Sequence, residues 1–177
     1  MPVPRAVRKR CDTLLSTLPI PEPFSAEAFA EALAEQRGRP IVIRPLPPGP
    51  GGPDTLSGLW VPLPSVDAVF YDASTSLAHQ TLTKLHELGH IAFGHQSQIN
   101  PAAIAQAFPD MDERHAAKVL GLPRASLSEV QEQEAEMLAL LLASRLGSGR
   151  GTTPQGQALT ATLGHPVRPA VEGRRSI

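Results

Sequence analysis

The sequence is poor in several kinds of residue, and each shortage excludes a class of protein or site. Cys11 is the single cysteine among 177 residues, which excludes an intramolecular disulfide and a zinc site built from cysteines. Aromatic residues make up only 4% of the chain, so the core must be built from Ala, Leu, Val and Ile. The formal net charge of −1 gives no electrostatic reason to expect direct nucleic-acid binding.

Long apolar runs are also missing. The longest, at residues 137–143, is far too short to cross a bilayer. A basic cluster near the N-terminus lacks the apolar stretch that a signal peptide requires; it comprises Arg5, Arg8, Lys9 and Arg10. We therefore expect a cytoplasmic protein that does not associate with membranes, with one domain over residues 1–146.

Apolar residues at helical spacing predict two N-terminal helices within residues 3–38. The first spans 3–18. The second begins after Ser25, a typical N-cap, and ends at Gly38, a typical C-terminal stop. Both would present an apolar face to the core.

A short sheet is predicted within residues 41–72. Its strands are Ile41 to Arg44, Leu56 to Leu63, and Ala68 to Tyr71. The last two are separated by four residues, as in a hairpin. Pro62 lacks an amide donor, which predicts that its strand pairs on one side only. Five prolines and three glycines at 45–54 indicate a loop.

The second half of the chain is predicted to be helical up to residue 146. A leucine-rich pattern predicts a helix over 75–94, and a short helix is expected at 111–120. Ser126 followed by Glu129 is a capping-box pattern that predicts the start of a further helix over 127–146. The residues at 147–177 are rich in Gly, Pro and Thr and predict a disordered tail.

The segment HELGH carries the strongest chemical signal. His86 and His90 are four residues apart on a predicted helix, so both imidazoles project from one face and can reach one metal ion. Zinc lowers the pKa of water that it binds to around 7, and a neighbouring carboxylate can then take the proton as the water attacks a carbonyl. Glu87 is placed to be that general base.

A catalytic zinc needs a third protein ligand. One class of zinc peptidase uses the pattern H-E-x-x-H-x-x-G-x-x-H, which would require glycine at Phe93 and histidine at Gln96. Neither matches. Gly94 and His95 are out of register, so we interpret His95 as a helix-terminal or surface histidine rather than a ligand.

Another class takes a glutamate from a later helix. The helix over 127–146 offers Glu129, Glu132, Glu134 and Glu136. Glu132 and Glu136 share a face at i and i+4, with Glu129 near it and Glu134 roughly opposite. Spacing alone does not choose between Glu132 and Glu136.

Together, HELGHIAFGH and the later EQEAEMLALLLA resemble the ImmA/IrrE family of metallopeptidases, in which HELGH-x-x-x-GH is followed by E-x-E-A-N-x-F-A-A-x-L-L. The resemblance places the third ligand on Glu132. It implies a small α+β, zincin-like domain, mostly helical with a short three-stranded twisted sheet. In such a domain Ala68 to Tyr71 would line the cleft and could pair with an extended substrate. Thr83 matches a position where the family often has threonine, which indicates a packing or ligand-supporting role.

Two departures from the family pattern affect the site. The family's asparagine is Glu136 here and its phenylalanine is Leu138. Glu136 would either orient a ligand histidine or perturb the metal through its charge. No residue clearly stabilises a transition-state oxyanion; the candidates are Tyr71, His95 and His115.

The resemblance implies a Zn²⁺-dependent metalloendopeptidase that cleaves a specific regulator, such as a helix-turn-helix repressor, and so acts in transcription regulation or a stress response. The alternative is a zinc-containing binding module, or one half of a toxin–antitoxin pair, that works without proteolysis. The two readings differ in whether Glu87 is needed for the effect.

Overall fold

The computed structural model describes residues 4–46, 56–99 and 126–146. About 51% of these residues are helical and 14% lie in strands, which confirms the predicted α+β class. In chain order the elements are α1 (Arg5–Leu15), α2 (Ala26–Arg37), β1 (Ile41–Pro45), β2 (Gly58–Pro62), β3 (Asp67–Tyr71), α3 (Leu77–Phe93) and α4 (Glu129–Ala143).

The ends of α2 and α3 follow from their capping residues. The Ser25 side chain accepts a hydrogen bond from the Ala28 amide, and Gly38 ends α2 with φ of 64°. In α3 the Ser76 side chain accepts from the His79 amide, and Gly94 ends the helix with φ of 68°. Glycine adopts this left-handed conformation without a steric penalty.

Helix α4 begins two residues later than predicted. Ser128 is its N-cap: the Ser128 hydroxyl accepts from the Gln131 amide, and the Gln131 side chain accepts from the Ser128 amide. The prediction that Ser126 and Glu129 form the capping box was therefore wrong. Ser128 and Gln131 have the same spacing and glutamine can act as well as glutamate, so the pattern alone was ambiguous.

The sheet has the order β1-β3-β2. Strand β3 pairs in parallel with β1 and antiparallel with β2, so the predicted hairpin is confirmed. The expectation that β3 itself offers a free edge to a substrate was wrong, because neighbours occupy both of its edges. Strand β2 is at the edge, as Pro62 predicted.

Helix α3 packs between the sheet and α4, while α1 packs against α4 and α2 against β1 and α3. The main core cluster joins these layers through residues such as Phe29, Leu85, Leu88 and Leu138. All four side chains are fully buried. Helix α3 is thus held on both sides, which fixes the orientation of the polar side chains that it carries.

Several predictions fall outside the described residues: most of the loop at 45–54, the short helix at 111–120 with His115, and the tail at 147–177. Within the described ranges, no helix is both long and apolar enough to cross a membrane.

Candidate metal centre

Two adjacent helices bring three ligand-type side chains together. His86 and His90 project from one face of α3, with their Nε2 atoms 3.0 Å apart. From α4, Glu132 Oε2 lies 3.3 Å from His86 Nε2 and 3.8 Å from His90 Nε2. One potential ligand atom from each of the three residues lies within 4.8 Å of the other two. The histidine pair predicted from HELGH and the glutamate singled out by the resemblance therefore meet.

The spacing of the three donors fits a small tetrahedral metal ion. Donors about 2.1 Å from a tetrahedral zinc lie about 3.4 Å from one another. The observed separations of 3.0, 3.3 and 3.8 Å bracket that value. Two imidazoles and one carboxylate leave a fourth position open, as in catalytic rather than structural zinc sites.

Gly89 allows α4 to come close enough for this arrangement. A Cβ atom at position 89 would lie 3.2 Å from the Ala135 carbonyl oxygen and 3.3 Å from its Cα. Ala135 is one turn along α4 from Glu132, so a side chain at Gly89 would push against the backbone that carries Glu132.

The surroundings keep both histidines neutral near pH 7. Burial lowers the pKa of His90 to about 3, with further lowering from His86 and His95. Burial also lowers the pKa of His86, although the negative charges of Glu132 and Glu136 oppose that shift. Neutral imidazole is the form that binds a metal ion.

Glu87 lies beside the cluster and is held by the edge strand. Desolvation raises the pKa of Glu87 to about 8. A hydrogen bond from the Trp60 backbone amide opposes this shift, and the negative charge of Glu132 adds to it. Gly58 is close as well, since a Cβ there would lie 3.2 Å from Glu87 Oε1. The carboxyl group is thus fixed next to the cluster, with a pKa near neutrality as a general base requires.

Trp60 is itself anchored to the rest of the sheet. Its indole Nε1 donates to Asp67 Oδ1 at 3.0 Å, and Arg39 Nε donates to Asp67 Oδ2 at 3.0 Å. Asp67 is buried. The strand segment that donates to Glu87 is therefore held by a paired carboxylate, which limits its freedom to move away from α3.

A cavity of about 440 Å³ opens beside His86 and Glu87. Its apolar wall includes Leu82, Ala139 and Leu140, and its polar lining includes His79, Gln98 and Glu136. Sequence reasoning missed His79 and Gln98. The helical spacing of His79, Thr83 and His86 placed His79 on the face of the ligands, and could have identified it.

The remaining predicted site residues have separate positions. Glu136 is exposed at the cavity and acts on His86 as a nearby charge. Thr83 packs under β2, with its Cγ2 2.3 Å from where a Cβ on Gly58 would lie. Tyr71 has Lys84 Nζ 4.1 Å from its ring centre. It does not belong to the described residues that line the cavity.

His95 directly follows Gly94, the C-cap of α3, as the helix-terminal alternative predicted. It is buried, so the surface alternative was wrong. Its Nδ1 lies 2.9 Å from His90 Nδ1 and its Nε2 lies 3.0 Å from Glu134 Oε2. Both ring nitrogens are therefore occupied, which removes His95 as a candidate for oxyanion stabilisation. Glu134, which by spacing lies roughly opposite the face of Glu132, contacts the site through His95.

The sequence did contain a signal for this contact. The His95 amide donates to the His90 carbonyl and the Gly94 amide to the Ile91 carbonyl, the two hydrogen bonds of a Schellman motif. In that motif the residue after the glycine packs against the residue five positions earlier. A histidine following Gly94 therefore folds back onto His90.

Comparison with known proteins identified no match: no family model, curated protein or solved structure corresponds to this chain. The resemblance to the ImmA/IrrE family stays a prediction based on the two motifs.

Proposed function

We propose that this protein is a zinc-dependent metalloendopeptidase similar to the ImmA/IrrE family. The observation that carries the proposal is the meeting of His86, His90 and Glu132 within 4.8 Å. Glu87 lies beside them, next to an open cavity. A purely structural metal site would need neither the adjacent carboxyl group nor the cavity.

Zinc is the metal that this ligand set favours. Two neutral imidazoles and one carboxylate at tetrahedral spacing are typical of catalytic zinc, whereas magnesium and calcium prefer oxygen ligands in larger numbers. When bound, zinc would polarise a substrate carbonyl and make water acidic enough to attack it near pH 7. His86, His90 and Glu132 would hold it.

Glu87 would take the proton from the attacking water and pass it to the leaving amine. Its pKa of about 8 in the metal-free protein means that it carries a proton at pH 7 there. A cation at the cluster would favour the ionised form. The Trp60 amide would hold the carboxylate in place during this transfer.

The substrate in this proposal is a peptide segment in extended conformation beside β2. The Leu63 amide donates to the Val66 carbonyl, and the Asp72 amide donates to the Ser57 carbonyl. In β2 and its flanks, the backbone groups of residues 57, 59, 61 and 63 therefore face β3. Gly58 and Trp60 therefore turn their backbone groups outward. Those of Trp60 are occupied by Glu87 and by the Ser97 hydroxyl, which leaves Gly58, at the cavity, to pair with a substrate. A regulator such as a helix-turn-helix repressor is the partner class that we propose.

The test combines metal analysis with a cleavage assay. Purified protein should contain zinc in a one-to-one ratio and should cleave the helix-turn-helix regulator encoded beside its gene, detected by mass spectrometry of new termini. Glu87→Gln should retain zinc and lose at least about 100-fold in rate, since general-base catalysis contributes about 10²–10⁴-fold. Glu129→Gln, the same change at an exposed position of α4, is the control and should cleave normally.

Cleavage by Glu87→Gln at the wild-type rate would contradict the proposal. A zinc-loaded protein that leaves the regulator and a proteome-derived peptide library intact would also contradict it. In that case, a regulatory effect in cells that persists with Glu87→Gln would identify the non-proteolytic binding module instead.

A further inference from the structure

A buried chain of contacts runs from the metal centre to the N-terminal helix. Hydrogen bonds join His90, His95 and Glu134, and an ion pair joins Glu134 to Arg10. His90 Nδ1 contacts His95 Nδ1 at 2.9 Å, and His95 Nε2 contacts Glu134 Oε2 at 3.0 Å. The other Glu134 oxygen, Oε1, lies 2.7 Å from Arg10 Nη1 of α1. His90, His95 and Glu134 are 2%, 8% and 1% exposed, so the middle of this chain is shielded from water.

The carboxylate end sets the direction of the hydrogen bonds. An ionised carboxylate only accepts, so His95 must donate from Nε2. A neutral His95 then has a lone pair on Nδ1 and can only accept there. His90 must therefore carry its proton on Nδ1, which leaves a lone pair on Nε2, the atom that faces His86 and Glu132.

We propose that Glu134, acting through His95, is a positioning residue that presents His90 with its Nε2 unprotonated and directed at the metal centre. The inference deepens the proposed function, on whose metal site it rests. Partners of this kind fix the tautomer and ring orientation of ligand histidines in metal sites. Here a second imidazole lies between the ligand and the carboxylate.

Neighbouring groups hold His95 and Glu134 in place. The Phe93 ring stacks on His95 with an interplanar angle of 4° and a centroid distance of 5.1 Å. Arg10 lies 5.9 Å from the centre of the same Phe93 ring and supplies a positive charge to Glu134. Cys11 donates to the Glu134 carbonyl. Helix α1 is thus part of the support of the metal centre, although it is distant from HELGH in sequence.

The first test measures tautomers in the metal-free protein by ¹H–¹⁵N NMR of its histidine side chains at pH 8. The proposal expects His90 protonated on Nδ1 and His95 protonated on Nε2. His90 protonated on Nε2, or His95 protonated on both nitrogens, would overturn it. This measurement needs no variant, no metal and no substrate.

The second test compares zinc affinity by chelator competition in Glu134→Gln and Glu129→Gln. A glutamine at 134 can donate to His95, which allows the chain to reverse, so zinc affinity should fall about 10–100-fold and the Nε2-protonated form of His90 should appear. Glu129→Gln should bind zinc as the wild type does. Equal affinities and tautomers in the two variants would overturn the inference. Failure of the wild type to bind zinc would contradict the proposed function. The NMR measurement of the His90 and His95 tautomers would still test the hydrogen bonds from His90 to Glu134.

Discussion

At the scale of single residues, the glutamates of α4 show how position decides chemistry. Glu129 is exposed and accepts from the Gln133 side chain at 3.0 Å. Glu132 joins the ligand cluster, Glu134 is buried against His95, and Glu136 lies at the cavity. Four identical side chains within two turns thus have four environments, and the family motif singled out the one at the cluster.

Cys11 provides a residue-scale prediction about reactivity. The thiol is 0% exposed, and burial, with the negative charges of Glu134 and Asp12, raises its pKa to about 11. Because only the thiolate reacts, alkylation by iodoacetamide at pH 8 should be at least about 10-fold slower in the folded protein than in urea. The rate of carbamidomethylation, followed by mass spectrometry, measures this.

The raised pKa of Cys11 also makes the stability of the fold depend on pH. The folded state keeps the Cys11 proton to higher pH than the unfolded chain, so this contribution to stability is present below the ordinary thiol pKa and is lost as the pH rises toward about 11. Equal alkylation rates in buffer and in urea would show that the thiol is accessible and would contradict the description of α1 packed on α4.

At the scale of elements, the contact between β2 and α3 positions Glu87. A Cβ on Gly58 would lie 2.3 Å from Thr83 Cγ2 and 3.1 Å from the Phe70 carbonyl oxygen. Glycine at this point of the strand is therefore required by the close approach of the helix. The hydrogen bond from Trp60 to Glu87 depends on that approach.

We therefore predict that Gly58→Ala destabilises the protein by about 1–3 kcal/mol, as expected for overpacking, and reduces cleavage. Thr83→Ser removes only the methyl group that the new Cβ would meet, and alone should destabilise by about 1 kcal/mol. In the double variant the methyl group is absent, so the two changes should couple favourably by at least about 0.5 kcal/mol. Urea unfolding of all four proteins gives the coupling energy.

Additive effects in this cycle would argue against the close contact. Thr83→Val serves as the matched control, because it keeps a branched side chain at the contact and should give no rescue of Gly58→Ala. Rescue by both changes would point to a general loosening of the helix rather than to the Thr83 methyl group.

At the scale of the whole molecule, the cluster of His86, His90 and Glu132, which could hold a metal ion, joins two helices that are far apart in the sequence. His86, His90 and Glu132 meet only in the folded protein. Zinc held by these three residues would therefore bind the folded state and not the unfolded chain. At a free zinc concentration about 100 times Kd, the folded state should gain about 2.7 kcal/mol. A rise of several degrees in Tm should follow.

Thermal unfolding with and without zinc measures this effect. Glu132→Gln should lose most of the rise in Tm, whereas Glu129→Gln should keep it. An unchanged Tm in the wild type with added zinc, or equal shifts in both variants, would contradict the assignment of Glu132 as the third ligand.

The sequence by itself determined the local features. Caps at Ser25 and Gly38 fixed α2, the leucine pattern and HELGH fixed α3 with its two histidines on one face, and Pro62 marked the edge strand. These features depend on residues within one or two turns or one hairpin, where spacing translates directly into geometry. The α+β class was what the family resemblance implied, and the structure confirms it.

Only the tertiary structure decided which distant groups meet. It paired both edges of β3, brought Glu132 to the histidines, and joined His90 through His95 to Glu134 and Arg10. The physical reason is that these contacts depend on how closely whole elements pack, as Gly58 and Gly89 permit. Spacing along one element gives its own faces but not the partner that each face will contact.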